Sequence, residues 1–322
     1  MLVSLEPSNP RPRSTPSIRV VIDLRESDPG SCDPADEYAR HLTSGLLEVG
    51  GHHYTILEPG SHGPLPAADV LLLPAGGAPR PGIRSVACVP DLKHLFAARR
   101  MGVLASVRRG LAVAFTAHRA DRLFAPSRFV ADALMRYLRV RREGVQVVPP
   151  GVEATFTRTS MAAADALREE LDLGDRYCVA SGDRWLAEAA FEAAETPSDA
   201  RLIHLETLRL GPDRLPALLS GAVAVLLTDP ACCCPIRALQ AMACGSPPIA
   251  AADAAYPEVV RDGGLTPDAK DVEEWAGCLS AVYRSKALRA RLSQRAMQIA
   301  GELSARRAAL TVLPLLDSAS GY

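Results

Sequence analysis

Hydrophobic and polar positions along this chain follow two rhythms. Short apolar runs fit buried strands of a parallel sheet at residues 17–24, 53–57, 69–74, 84–90, 122–125 and 145–150, and again at 177–180, 201–205, 222–227 and 247–250. Between them apolar residues recur at helical spacing. Residues 35–49 put Tyr38, Leu42, Leu46 and Leu47 on one side and stop at Gly50-Gly51. The same spacing predicts helices over 97–119, after the capping residue Ser127, and over 162–171, 185–194, 212–220, 236–244, 272–282, 285–300 and 304–316. Residues 207–210 fit one more short strand. Strand–helix–strand alternation of this kind predicts an α/β protein with parallel sheets.

The chain is organised around residues 222–250. An apolar strand leads into a turn from Thr228 to Pro235. A helix follows with Ile236, Leu239, Met242 and Ala243 at helical spacing, and Gly245 ends it. Pro247-Pro248-Ile249-Ala250 then starts the next strand. The turn lies at the carboxyl end of a strand, where open α/β sheets bind ligands.

Length and composition narrow the picture. A chain of 322 residues fits two domains of ordinary size. With 48% apolar and 23% charged residues it reads as a soluble globular protein. No apolar run suits a bilayer-spanning helix, and the Pro/Ser/Arg-rich start lacks a secretory core, so the expected location is cytoplasmic. Residues 1–16 are expected to be a disordered tail. Cys32, Cys88, Cys178, Cys244 and Cys278 are scattered and read as buried thiols. Cys232, Cys233 and Cys234 are contiguous, which is not a metal-ligand spacing, and no metal is expected. A reactive thiolate at the start of the following helix is the alternative reading of that triplet.

Net charge is −1, yet residues 80–142 hold fourteen Arg or Lys against Asp91, Asp121 and Asp132. This is either a solvated basic face or a surface attracted to an anionic membrane or an anionic acceptor, making the protein membrane-peripheral. Scarce aromatic side chains argue against nucleic acid. Arg99, Arg100, Arg108 and Arg109 do not share one helical face, so their spacing does not predict a membrane-lying helix.

Leu239-Gln240-Ala241-Met242-Ala243-Cys244-Gly245 resembles the Leu-Glu-Ala-Met-Ala-Cys-Gly helix end of retaining glycosyltransferases of family 4. Further likenesses are Pro90-Asp91-Leu92-Lys93-His94-Leu95, Val147-Val148-Pro149-Pro150-Gly151-Val152-Glu153, and Tyr256-Pro257-Glu258-Val259-Val260 before Asp262-Gly263-Gly264-Leu265. The resemblance covers roughly residues 18–317 and implies the GT-B fold, with two Rossmann-like parallel-sheet domains facing a cleft. It implies an acceptor domain of residues 17–160 joined by a terminal helix at 303–318, and a donor-nucleotide domain of residues 161–302. The donor domain is expected to be truncated, because helix 212–220 runs straight into strand 222–227 where a full nucleotide-binding domain has another helix as well.

The resemblance implies a nucleotide-sugar donor and an acceptor that is a glycan, a lipid-linked species or a small molecule. It marks His94 and Asp91 for the reacting sugar, Gly30, Gly182 and Arg184 for the diphosphate, and Glu258 for the donor. In the central turn Cys232 and Gln240 stand where the family has glutamates. Cys233 and Cys234 open a helix whose backbone N–H groups favour an anion, and Arg237 is the candidate replacement for the missing family lysine. A thiol and an amide accept fewer and weaker hydrogen bonds than two carboxylates. Three readings stay open. They are a transferase with a redesigned donor site, a catalytically silent pseudo-glycosyltransferase supporting a partner glycosyltransferase, and another GT-B enzyme such as an epimerase or phosphorylase.

Overall fold

The computed structural model describes residues 2–5, 17–28, 33–92, 103–208, 210–211 and 213–321. The chain forms two compact units, residues 1–151 with 304–322, and residues 152–303. The break therefore falls after Gly151 and not after residue 160. The reason is local: the Val152 N–H donates to the Leu303 carbonyl at 2.9 Å. Val152 and Phe156 are already buried in the hydrophobic core of the second unit.

Among the described residues the first unit carries seven strands, β1 (Leu2–Leu5), β2 (Arg19–Asp23), β3 (His53–Leu57), β4 (Val70–Leu73), β5 (Arg84–Cys88), β6 (Arg122–Ala125) and β7 (Val145–Val147), in the order β1-β3-β2-β4-β5-β6-β7. All neighbours run parallel except β1, which lies antiparallel along β3 with Leu2 opposite Leu57. The expected disordered tail is corrected for residues 2–5, which pair with the otherwise open edge of β3; an open edge offers a row of backbone donors and acceptors. Central strands β2 and β4 read as continuous apolar runs because they are covered on both faces.

Helix Pro34–Val49 starts with Pro34 in its first turn and with the Asp33 carboxylate accepting from the Ala35 N–H. The last helix, Ala305–Ser320, packs against it. At Gly45 the contact is backbone on side-chain-free backbone: a Cβ there would stand 2.2 Å from the Ala305 carbonyl oxygen. Tyr38 reaches the Val148 carbonyl at 2.9 Å, and Arg122 reaches Ser318 at 3.0 Å. The terminal helix thus belongs to the first unit.

Among the described residues the second unit holds four parallel strands, β8 (Arg176–Ser181), β9 (Ala200–His204), β10 (Val225–Leu227) and β11 (Pro248–Ala250), in the order β11-β10-β8-β9. Leu226, Leu239, Met242, Ile249, Trp275 and Leu279 build its core. Thr207, Leu208 and Leu210 are not in a strand, and residue 209 of the expected strand 207–210 lies outside the described residues. The chain instead makes a 3-10 turn at Leu205–Thr207, closed by the Thr207 hydroxyl donating to the His204 carbonyl at 2.7 Å. The central unit takes the shape its pattern predicts: β10, a turn, helix Ile236–Ala243, Gly245 at φ 80°, then β11.

Candidate functional site

Strands β8, β10 and β11 end side by side, so the loops that follow them gather at one edge of the smaller sheet. Backbone bonds tie those loops together. The Thr228 N–H donates to the Ser181 carbonyl at 3.0 Å, and the Ala255 N–H donates to the Cys232 carbonyl at 3.1 Å. The Thr228 hydroxyl, fully buried, donates to the Asp183 carbonyl at 2.9 Å.

Gly182 makes this assembly feasible. Its φ is +115°, and a Cβ there would lie 2.5 Å from the Asp229 nitrogen. Only glycine lets the loop after β8 touch the loop after β10 in this way. The Glu206 carboxylate accepts from the Gly182 N–H at 3.2 Å and from the Ser181 hydroxyl at 2.7 Å. Asp183 caps helix Arg184–Ala193 through the Leu186 N–H. Two carboxylates therefore hold backbone and hydroxyl donors of this loop.

Arg184, expected at the diphosphate, is 67% exposed, and its Nε donates to Glu188 at 2.8 Å one helical turn on. That hydrogen bond holds the Glu188 carboxyl below the usual carboxylate range. His204 stands 3.5 Å from the same carboxylate.

The central turn is more closed than its pattern suggests. Every residue from Ala231 to Gln240 is buried. Asp229 stabilises the turn by accepting from the Ala231 N–H at 3.0 Å. The Cys233 thiol donates to the Ala231 carbonyl at 3.4 Å. Helix Ile236–Ala243 begins at Pro235 with no side-chain cap among the described residues. Arg237 turns inward, and its guanidinium donates to Gln240 Oε1 at 2.9 Å in a buried hydrogen bond. Tyr256 joins this group. Burial, with Cys232 and Asp229 beside it, pushes its phenol well above the ordinary value, and Arg237 acts in the opposite direction. Glu258 sits in the first turn of the short helix Tyr256–Val260, half-buried.

In the first unit Asp91 is buried and accepts from the Arg109 guanidinium at 2.7 Å. The pair lines a hollow of about 440 Å³ with Gly76, Gly77 and Thr116. A neighbouring hollow of about 570 Å³ shares Glu26 and Gly77 with it and carries the Asp23–Arg25 ion pair. His94 and Gly30 lie outside the described residues. Among the described residues no group of His, Cys, Asp or Glu side chains is arranged to hold a metal ion.

The structure thus brings Gly182, Cys232, Cys233, Cys234, Arg237, Gln240 and Glu258 onto one edge of the second unit, and Asp91 onto a hollow of the first. Sequence reasoning missed Glu206, Tyr256 and Arg109. Tyr256 had a signal, its adjacency to the Pro257-Glu258 motif. Glu206 had none, because it reaches the Gly182 loop only through the pairing of β9 with β8.

Residues 166–299 match the family described as Glycosyl transferases group 1. No curated protein matches the chain. Among solved structures, Anabaena Alr3699/HepE in complex with UDP-glucose is similar with a TM-score of 0.69 and 16% identity, covering 94% of this chain and 100% of that one. Sucrose-phosphate synthase (tll1590) from Thermosynechococcus elongatus gives 0.72 and 14%, covering 93% and 98%. WaaG, a glycosyltransferase involved in lipopolysaccharide biosynthesis, gives 0.66 and 15%, covering 91% and 99%. At these identities the likeness concerns the fold: α/β with two parallel-strand sheets, as in the GT-B glycosyltransferases.

Proposed function

We propose that this chain transfers a sugar from a nucleoside diphosphate sugar to an acceptor with retention, in the manner of glycosyltransferase family 4, in a cytoplasmic setting. One observation carries the reading. The loop after β8 and the loop after β10 touch through Gly182, beside a helix that starts without a side-chain cap among the described residues. A helix start of this kind favours a diphosphate through its backbone N–H groups and dipole. The match of residues 166–299 to a sugar-transferring family supports the same site, as does a solved relative's complex with UDP-glucose. Under this reading the leaving phosphate takes the acceptor's proton as the sugar–phosphate bond breaks, so positioning supplies much of the rate. Arg237 meets the phosphate by exchanging Gln240 Oε1 for a phosphate oxygen. The acceptor, a glycan, a lipid-linked species or a small molecule, addresses the hollow beside Asp91.

A second reading, a donor-silent protein that supports a partner glycosyltransferase, is favoured by a different observation. Arg237 and Gln240 already satisfy each other inside a buried turn. Calorimetric titration and donor hydrolysis with UDP-, GDP- and ADP-sugars separate the two. Binding and turnover with one of them, weakened about ten- to hundred-fold by Arg237→Ala or Arg184→Ala, supports the transferase. No binding and no turnover with any donor, together with co-purification of an intact glycosyltransferase, supports the silent protein.

A further inference from the structure

The second unit has a hollow of about 380 Å³ away from the loops that gather after β8, β10 and β11. Asp175, directly before β8, and Gly221, ahead of β10, both line it. The strands are parallel, so the hollow lies at their amino ends, opposite the Gly182 loop. One wall is a single face of helix Met161–Glu170, with Met161, Ala164, Asp165 and Arg168 at helical spacing. The other wall is the end of helix Leu215–Gly221, which packs against it.

The polar groups of this hollow fall into two sets. Arg168 sits between two carboxylates, bonded to Asp175 through Nη1 and facing Asp165 from Nε at 3.5 Å. Asp165 is half exposed and Asp175 more so, and each keeps acceptor lone pairs that Arg168 does not use. Arg158 stands apart. It is exposed, and among the described residues its guanidinium has no ion pair or hydrogen bond. Its stem runs beside Gly245, where a Cβ would meet Arg158 Cδ at 3.2 Å. Next to it the Thr159 N–H donates to Ser220 Oγ at 3.0 Å. The Thr159 hydroxyl is buried without a hydrogen-bond partner. Folded proteins leave few such groups, because an unpaired buried hydroxyl costs free energy.

We propose that this hollow binds a monosaccharide carrying one anionic group. Arg158 takes the anion, and Asp165 and Asp175 accept from the sugar's hydroxyls. Thr159 turns by one rotamer step of about 120° to bring its hydroxyl onto the ligand. An unengaged guanidinium beside two accepting carboxylates fits a ligand with an anion at one end and several donors at the other. Plain phosphate meets Asp165 and Asp175 as like charges, and a neutral sugar leaves Arg158 unused. A free amino acid brings one compact donor group to two separate carboxylates. Met161, 74% exposed, and Ala164 offer apolar surface to the C–H face of a sugar ring. The volume falls within the usual range for small-molecule sites. The inference does not depend on the donor reading, whose residues lie at the other end of the strands.

The test is calorimetric titration of the full chain with glucose 6-phosphate, glucuronate, glucose, inorganic phosphate and glutamate. One of the two anionic sugars should bind with a Kd below about 1 mM, at least about ten-fold tighter than the other three probes. Which of them binds tells a phosphate ester from a carboxylate. Arg158→Gln should weaken binding about ten- to hundred-fold and leave the thermal melt unchanged, because the side chain is exposed. Thr159→Val should weaken it about two- to ten-fold without lowering the melt, because it removes an unpaired buried hydroxyl. Arg184→Ala, at the opposite end of the strands, should have no effect on it. No binding of either anionic sugar, tighter binding of phosphate or glutamate, or binding that survives Arg158→Gln but falls with Arg184→Ala would each overturn the proposal.

Discussion

The hydrogen bond between Arg237 and Gln240 can be weighed by a double-mutant cycle. The guanidinium donates to the amide oxygen at 2.9 Å, with Arg237 only 7% and Gln240 1% exposed. A hydrogen bond from a charged donor contributes about 1.5–3 kcal/mol. Gln240→Leu removes the acceptor and leaves a buried cation short of one partner, which should cost about 2–3 kcal/mol. Arg237→Met keeps much of the volume and relieves a buried charge, so its cost should be smaller, about 1 kcal/mol. The double variant places two apolar side chains face to face and should lie within about 1 kcal/mol of the parent. The single variants together cost about 3–4 kcal/mol and the double at most about 1, so the coupling energy is about 2–4 kcal/mol. The assay is urea unfolding followed by tryptophan fluorescence. The chain has two tryptophans, and both Trp185 and Trp275 belong to the second unit, so the signal reports the unit that holds the pair. A coupling below about 0.5 kcal/mol would show that Arg237 does not dwell on Gln240, and the closed form of the turn would have to be abandoned.

The other expectations are simpler to read. Gly182→Ala puts a Cβ 2.5 Å from the Asp229 nitrogen at a φ of +115°. It should destabilise the second unit by at least about 2 kcal/mol in the same fluorescence assay, and a parent-like curve would contradict the loop contact. Burial pushes the Asp121 carboxyl up, but hydrogen bonds from Arg84 and Ser85 outweigh it and hold the group below the usual range. Its contribution is therefore present above the unfolded value of about 3.9 and is lost as pH falls through the lower folded value. Asp121→Asn should flatten that acid limb and cost no more than about 1 kcal/mol at neutral pH; an unchanged acid limb in circular dichroism melts would refute the assignment. Burial pushes the Cys178 and Cys244 thiols up to about 12. Mass spectrometry after a thiol reagent at mildly alkaline pH should find both unlabelled until the chain unfolds, and labelling of either in the folded protein would contradict its burial.

The elements were largely legible because burial writes its period into the chain. Ile236, Leu239 and Met242 repeat as a helix repeats, and Val225-Leu226-Leu227 runs apolar as a strand covered on both faces must. The capping residue Ser127 announced a helix start through its own hydroxyl, and in the structure Ser285 and Ser304 cap their helices in the same way. The strand expected from Thr207 does not start there, because so short a run carries too little periodicity to outweigh one hydroxyl bond back to His204.

The sequence alone determined the α/β class with parallel sheets and the strand–turn–helix–strand unit at its centre. Both are local or periodic properties of neighbouring residues, whereas the two-domain layout and the reading of Cys232 and Gln240 as stand-ins for glutamates are what the resemblance to family 4 implies. Only the tertiary structure decided which way side chains turn and whom they meet: Arg237 inward onto Gln240, Glu206 onto the Gly182 loop, Arg109 onto Asp91, and the apolar side of helix Val103–Arg119 outward to water. Spacing fixes an angle around a helix axis. What lies at that angle depends on elements far away in the chain, and so it is settled by packing.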